Sequence, residues 1–251
     1  MEIQLVSFPS CRLTRKERKY RIEVISGILK ETKADFVMFS EHVLKSKEDL
    51  YTISDIIGQK QVTALFELNE SYGIKGNRLY LLRNGKISDL QTHQIFFDSA
   101  GATEHHIELL IDEIERHRQF EVKGINFLII QCGENNILKG NTGSAEFRLS
   151  NRLDLKRRFT KLLNEADIVL NPVHSRWGRF GTFLCRIRKF SENKRFCFSC
   201  TQINNNQLFS ARKNPGHNST HVVMHNKRRI APIYTNEIES YLLQTFVIEA
   251  D

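Results

Sequence analysis

The chain has 251 residues, a net charge of +8, 40% hydrophobic residues and 26% charged residues. These values are typical of a folded domain with a sizeable core, and they exclude a disordered chain and a small disulfide-stapled one. No apolar run approaches the roughly 20 residues of a membrane-spanning helix. The first residues indicate a strand rather than a signal peptide, and the odd number of cysteines, five, favours reduced thiols. We therefore predict a cytoplasmic protein that does not contact a membrane.

The positive charge is divided among several short basic clusters along the chain. The densest are residues 15–19, 156–158, 186–189 and 227–229. A pI of about 9.3 is compatible with an acidic partner such as nucleic acid. Each cluster lies on a predicted helix face or turn, where a solvated surface is the simpler interpretation. Weak, nonspecific nucleic-acid binding is therefore kept as an alternative to a small-molecule role.

Predicted strands and helices alternate along the chain, which indicates a single α/β domain over residues 1–251. Asn84-Gly85 between two apolar runs predicts a hairpin, and the Gly-, Asn- and Ser-rich residues 139–151 predict a loop insertion. The predicted strands are 3–8, 35–39, 62–68, 78–82, 87–96, 125–131, 168–170, 196–203, 220–224, 229–232 and 244–249, and the predicted helices are 14–33, 48–58, 104–116, 152–165 and 180–193.

Polar residues stand at the ends of three strands that are predicted to be buried. They are Glu41, Cys132 and Asn171, and strand ends of α/β sheets are where ligand crevices form. A thiol followed by Gly133 can act as a nucleophile, although most free cysteines are buried and inert. His174 follows a strand end too, and either lines the crevice or lies in a plain loop.

The pair Cys197 and Cys200 has the spacing of a metal knuckle, but it falls inside a predicted strand and has no second pair. We therefore predict no metal and no cofactor.

Five sequence motifs, in the right order, resemble those of the nitrilase (carbon–nitrogen hydrolase) superfamily. Residues 34–41 resemble the pattern A-D-x-V-x-F-P-E, with serine in place of the proline. Residues 132–134 match C-x-[DE] after an apolar strand, and residues 166–172 match A-D-x-x-L-N-P. Residues 188–193 and 219–223 are similar to the later R-A-x-E-N and S-x-x-V motifs. The resemblance covers nearly the whole chain.

The resemblance implies a four-layer αββα sandwich, in which two mixed sheets are flanked by helices. It also implies a Glu-Lys-Cys catalytic set, with Glu41 as the base and Cys132 as the nucleophile. The lysine position falls at or within a residue of His93, and no lysine occurs between Lys86 and Lys123. A protonated histidine can donate to an oxyanion, but it is shorter than lysine and mostly neutral at pH 7. Glu134, Asn171 and His174 are the expected substrate-binding residues.

The resemblance leaves two functions open. The first is a thiol amidohydrolase that cleaves a non-peptide C–N bond in a small amide, nitrile or carbamoyl compound through a Cys132 thioester. The second is a catalytically degenerate nitrilase-like module for binding or assembly, in a nucleic-acid-associated system such as an anti-phage reverse transcriptase. Family members usually dimerise, so a homodimer is expected. A metal-dependent nuclease of the endonuclease/phosphatase fold is disfavoured, because its G-D-x-N and S-D-H segments are missing from the sequence.

Overall fold

The fold is described from a computed structural model, which places residues 1–11, 13–40, 42–69, 76–141, 143–173, 180–203, 220–238 and 240–249. These residues form two compact units. The first contains the described parts of Met1–His93, Cys200–Thr220 and Ala231–Asp251, and the second contains the described parts of Gln94–Ser199 and His221–Ile230.

The first unit is built on a mixed sheet, which has seven strands among the described residues. Its order is β14-β15-β1-β2-β3-β4-β5. Strands β1, β2 and β3 run parallel, and the other pairs are antiparallel. Strands β1 and β2 are buried along almost their whole length, which is typical of central strands covered on both faces. The strands are β1 (Glu2–Ser7), β2 (Phe36–Phe39), β3 (Thr63–Asn69), β4 (Asn77–Arg83), β5 (Lys86–His93), β14 (Tyr234–Ile238) and β15 (Tyr241–Val247).

Helices α1 (Arg15–Glu31) and α2 (Lys47–Ile57) complete the first unit. Thr14 begins α1, since its hydroxyl accepts a hydrogen bond from the Glu17 N–H. Ile25 and Leu29 are four residues apart and fully buried, so this face of α1 packs into the core.

The second unit is built on a mixed sheet of six strands in the described part of the chain. Its order is β13-β12-β11-β10-β7-β6, and β7 and β10 run parallel with Leu128 opposite Val169. The strands are β6 (Gln119–Val122), β7 (Ile125–Ile129), β10 (Ile168–Val173), β11 (Phe196–Thr201, of which residues 196–199 belong to this unit), β12 (His221–His225) and β13 (Arg228–Arg229).

Helices α3 (Glu104–His117), α4 (Leu153–Glu165) and α5 (Phe180–Phe190) supply nearly half of the buried apolar residues in the second unit's core. In α3 the spacing i, i+3, i+4, i+7 places four buried apolar side chains on one face. They are Ile107, Leu110, Ile111 and Ile114. Ion pairs from Arg158 to Asp112 and Glu115 join the exposed sides of α3 and α4.

The predicted loop 139–151 differs from the structure, because it contains most of a hairpin. Strands β8 (Leu138–Asn141) and β9 (Ser144–Phe147) pair antiparallel. Ala145 and Phe147 are buried in the core of the second unit, so apolar packing stabilises a segment whose composition favours a loop. The strand predicted at 229–232 is shorter than expected, since β13 covers only Arg228–Arg229.

Candidate active site

Cys132 lies three residues beyond the end of β7 and is the first residue of a short 3-10 helix, Cys132–Ile137. Its backbone φ is 25°, in the left-handed region that non-glycine residues rarely adopt. Such a conformation costs on the order of 1–3 kcal/mol and persists only where the surroundings hold it. The side chain is 6% exposed. The thiol is therefore fixed at a strand end by a strained turn.

Gly133 allows this turn to pass close to another segment of the second unit. A Cβ atom at position 133 would lie 1.6 Å from the carbonyl oxygen of Phe97. No side chain fits at that distance, so glycine is required next to the thiol.

Glu134 holds the turn from inside the core. Its carboxylate has no exposed surface, and it accepts hydrogen bonds from the N–H groups of Gln131, at 2.9 Å, and Ile95, at 2.6 Å. The guanidinium of Arg118, at the end of α3, is also fully buried and binds both carboxylate oxygens. The two opposite charges of this buried ion pair neutralise each other, and removing either partner would leave the other as an unpaired buried charge.

Two asparagine side chains fix the backbone carbonyls around the thiol. The Asn171 amide, on β10, donates to the carbonyl of Ile130 at 2.6 Å and to that of Cys132 at 3.4 Å. The Asn135 amide donates to the same Cys132 carbonyl at 2.8 Å. The hydroxyl of Ser199 donates to the Asn171 side-chain oxygen at 3.2 Å, which sets the orientation of that amide.

The structure thus brings three predicted site residues together, namely Cys132, Glu134 and Asn171. Sequence reasoning did not identify Arg118 or Asn135 as part of this turn. Asn135 sits one 3-10 turn after Cys132, a spacing that could have suggested the contact. No local sequence pattern points to Arg118, because it contacts Glu134 only through the tertiary fold.

Glu41 and His174 lie outside the described residues. The residues that flank Glu41 are held in place within the first unit. Ser40 is buried and its N–H donates to the Val6 carbonyl, while the His42 N–H donates to the Glu67 carbonyl. The His42 ring nitrogen Nε2 lies 3.1 Å from the Asn77 side-chain oxygen.

His93 is the last residue of β5 and is partly exposed, opposite Arg78 on β4. The catalytic roles of Glu41, His93 and Cys132, and the substrate-binding roles of Glu134, Asn171 and His174, stay predictions.

The described cysteines are all free thiols, and burial raises the pKa of Cys197 well above its ordinary value. Among the placed residues, no group of three or more His, Cys, Asp or Glu side chains could hold a metal ion. No helix in the placed segments is long and apolar enough to span a membrane.

No protein-family model and no curated protein matches the sequence. Solved structures, however, resemble the fold. A variant of the Nesterenkonia AN1 amidase, from the nitrilase superfamily, is 10% identical with a TM-score of 0.57 and covers 98% of this chain and 90% of its own. Another variant of this amidase, with acrylamide added at its active-site cysteine, is 11% identical with a TM-score of 0.59 and covers 100% and 94%. A carbon–nitrogen hydrolase from Helicobacter pylori G27 is 10% identical with a TM-score of 0.58 and covers 98% and 88%.

These likenesses extend over nearly the whole of both chains, and they show that the protein has the nitrilase-superfamily fold. The resemblance predicted from the five motifs is confirmed at this level. The predicted α/β class with two mixed sheets and flanking helices is also confirmed, and the neighbours fit the expected αββα sandwich.

Proposed function

We propose that the protein is a thiol amidohydrolase that cleaves a non-peptide C–N bond. The observation that carries the proposal is the Cys132 turn, in which the thiol follows a strand end at a φ of 25° and buried hydrogen bonds hold the backbone on both sides. Core cysteines need no such strain, whereas nucleophiles at strand ends often have it. The amidase neighbours with a modified active-site cysteine support the same chemistry.

In the proposed reaction the Cys132 sulfur attacks the carbonyl carbon of a small amide. The C–N bond breaks, the amine leaves with a proton, and the acyl group stays on sulfur as a thioester. Water then adds to the thioester carbon, which releases the carboxylic acid and restores the thiol. A nitrile or a carbamoyl compound is the alternative substrate class. No cofactor takes part in these steps.

The resemblance supplies the two remaining roles. Glu41 takes the proton of the Cys132 thiol and returns it to the leaving amine. His93, where the superfamily has lysine, donates a hydrogen bond to the oxyanion when it is protonated. Because the protein's own donors occupy both carboxylate oxygens of Glu134, we assign it the positioning of the Cys132 turn rather than contact with substrate.

Substitution of Cys132 tests this function, with a second cysteine of equal burial as control. Cys132 and Cys185 are both 6% exposed, so alanine at either position removes a similar volume from the second unit. Cys132→Ala should abolish hydrolysis across a panel of small amides and nitriles, and Cys185→Ala should retain it. Both variants should melt within a few degrees of the wild type, because Cys-to-Ala is a small truncation.

The alternative function is that of a catalytically degenerate binding or assembly module. It is motivated by a histidine, His93, at the position where the superfamily has its catalytic lysine. It predicts no turnover in the wild type at any pH. Turnover in the wild type that is lost in Cys132→Ala and falls at least tenfold in Glu41→Gln would exclude it. Equal activity in the wild type and Cys132→Ala would instead remove the thiol from the mechanism.

Homodimerisation and a cytoplasmic location are also proposals. The free state of all five cysteines supports a reducing compartment. Light scattering of the purified chain would measure its oligomeric state directly.

A further inference from the structure

Two arginines in the second unit, Arg148 and Arg186, are bound to the short 3-10 helix that begins at Cys132. Arg148 follows β9, and its Nε donates to the Asn136 carbonyl at 2.7 Å. Arg186 lies on α5, and its Nη1 donates to the Asn135 side-chain oxygen at 2.8 Å. Consecutive residues of one turn therefore anchor both guanidinium groups.

Neither guanidinium forms an ion pair within the described part of the chain. The basic side chains Arg18, Arg118, Arg152 and Arg158 all have carboxylate partners there. Arg148 and Arg186 instead have only the neutral acceptors on Asn136 and Asn135. The Nε atom of Arg186 is buried and has no hydrogen-bond partner among the placed residues.

The pair is electrostatically unfavourable as it stands. Burial lowers the pKa of Arg186 to about 10, with repulsion from Arg148 as a further cause. Burial also lowers the pKa of Arg148. Two neighbouring cations that are partly removed from water lack the opposite charge that such groups ordinarily acquire.

The β8–β9 hairpin packs closely beside this pair. At Gly140 a Cβ atom would lie 2.8 Å from the Thr182 side chain, 2.9 Å from the Thr182 carbonyl oxygen and 3.6 Å from the Arg186 Nε. The glycine therefore lets β8 approach α5 at the turn of helix that carries Arg186. The arginine is held between the hairpin and the helix rather than extended into solvent.

From this geometry we propose that Arg148 and Arg186 form an anion-binding site, which takes the carboxylate or phosphate group of a small molecule. Guanidinium groups bind both anions through paired N–H donors, which gives geometric selectivity as well as charge. The bound anion supplies the missing opposite charge and relieves the repulsion within the pair. This assignment does not depend on the proposed hydrolase activity.

Hydrogen bonds couple the site to the thiol. Arg186 binds the Asn135 side chain, and the Asn135 amide binds the Cys132 carbonyl. Two sources can therefore supply the anion, namely an acidic group on the amide substrate itself or a separate acidic effector. Both have the same recognition chemistry.

Thermal unfolding of the full chain in phosphate, at constant ionic strength with chloride as the balancing anion, tests the site. The Tm should rise by roughly 3–5 °C for each tenfold increase in phosphate above its Kd. Acetate should give a smaller rise of the same form. The rise should be lost in Arg148→Gln and in Arg186→Gln. It should persist in Arg188→Gln, which removes the same charge from an exposed position of α5.

A second measurement uses the unmodified protein, so that a variant that fails to fold leaves the proposal testable. Phosphate should protect Arg148 and Arg186, but not Arg188, from modification by phenylglyoxal, as read by mass spectrometry. The proposal is overturned if phosphate neither raises the Tm nor protects the pair. It is also overturned if the rise is unchanged in both glutamine variants.

Alkylation of Cys132 then distinguishes the two sources. If phosphate slows the reaction of Cys132 with iodoacetate, which carries a carboxylate, but not with neutral iodoacetamide, the two anions compete for one site within reach of the thiol, and the substrate carries the anion. If phosphate binds and affects both reagents alike, or neither, a separate effector occupies the site. Since none of these measurements needs turnover, they can succeed even where the hydrolase proposal fails.

Discussion

At the scale of single residues, Gly133 is the position least tolerant of change in the candidate site. A methyl group there would lie 1.6 Å from the Phe97 carbonyl oxygen, which no backbone adjustment of a few tenths of an ångström can relieve. We expect Gly133→Ala to lower the free energy of unfolding by more than about 4 kcal/mol, or to prevent folding. Thermal unfolding and the yield of soluble protein would measure the effect.

Gly27 provides the matched control for that substitution. It lies inside α1, and no described heavy atom outside its own helix stands within 4 Å of the place of its Cβ. Gly27→Ala should therefore stabilise the chain by about 0.5–1 kcal/mol, because alanine has the higher helix propensity. A Gly133→Ala protein that melts like the wild type would contradict the close approach at Phe97.

Glu192 gives a pH-dependent contribution to stability. Partial burial raises its pKa, but hydrogen bonds from Lys189, at 2.5 Å, and Lys227, at 3.0 Å, outweigh that effect and lower the pKa below its ordinary value. Because the pKa is lower in the folded state, this stabilisation is present above about pH 4.5. It is lost as the pH falls through the folded-state pKa.

The substitution Glu192→Gln should therefore cost about 0.5–1 kcal/mol at pH 7 and less at pH 3. Denaturant unfolding at both pH values would measure this difference. The control Glu165→Gln breaks a more exposed ion pair, with Lys161 at 3.7 Å, and it should cost less than about 0.5 kcal/mol at pH 7. A pH-independent cost at Glu192 would show that its lysine contacts do not hold the carboxylate ionised.

The residues of the Cys132 turn show how far the sequence predicts a site. Cys132 and Asn171 follow or end apolar runs, and that position alone predicts that they face a crevice. The prediction is wrong in detail for Asn171, because β10 continues to Val173 and the Asn171 side chain is fully buried. Arg118 has no comparable signal, since its contact with Glu134 depends on how α3 packs against the sheet of the second unit. Local patterns identify polar groups at or near strand ends, but they do not identify the distant partners that hold those groups.

At the scale of secondary-structure elements, the Arg118–Glu134 pair joins the end of α3 to the Cys132 turn. Both side chains are fully buried. Glu134→Gln would leave the Arg118 charge without its opposite, and we expect a cost of about 3–5 kcal/mol. Denaturant unfolding measures the loss, and amide turnover, where present, should fall with it because the turn is no longer held.

An exposed ion pair between α3 and α4 provides the comparison for the buried Arg118–Glu134 pair. Arg158 on α4 binds Glu115 on α3 at 2.6 Å, where the two side chains are 36% and 38% exposed. Glu115→Gln should cost no more than about 1 kcal/mol, because solvent screens the pair and Asp112 remains. Equal costs for the two substitutions would mean that the buried pair is not needed to hold the turn.

The elements that the sequence missed lie at the sheet edges or in the inserted hairpin. Strand β14 is an edge strand with exposed side chains at four of its five positions, so it lacks the apolar alternation that predicts a strand. Strand β6 is the edge of the second sheet and only Val122 is buried. By contrast, β1, β2, β7 and β10 are rich in buried apolar residues, and all four were predicted.

At the scale of the whole chain, the strand order could not be predicted from local patterns. Strand β1 pairs with β15, so Leu5 lies opposite Gln244, near the other end of the sequence. Pairing between strands so far apart in sequence depends on closing the chain between them and on which strand faces are not yet buried by other elements. The family motifs supplied the two-sheet expectation, because they carry information about the fold that periodicity does not.

The net charge of +8 motivates the last prediction, which concerns nucleic acid. Ion pairs neutralise part of the positive charge in the basic segments 152–158 and 186–189. Arg152 pairs with Glu104 and Asp154, Arg158 pairs with Asp112 and Glu115, and Lys189 pairs with Glu192. Lys156 and Arg157 are exposed on α4 and have no ion pair among the described residues. We therefore expect only weak binding, with few phosphate contacts.

Fluorescence anisotropy with a random oligonucleotide would measure this binding across a salt series. With about two phosphates neutralised, the logarithm of the association constant should fall with the logarithm of salt at a slope near −2, and the binding should be insensitive to sequence. Lys156→Gln with Arg157→Gln should abolish it. Lys33→Gln with Arg15→Gln removes the same charge from exposed positions of the first unit and should have little effect. A steeper slope, or an equal loss of binding in the two double variants, would contradict a binding surface at Lys156 and Arg157 on α4. No binding at low salt would rule out nucleic-acid binding and favour the small-molecule function.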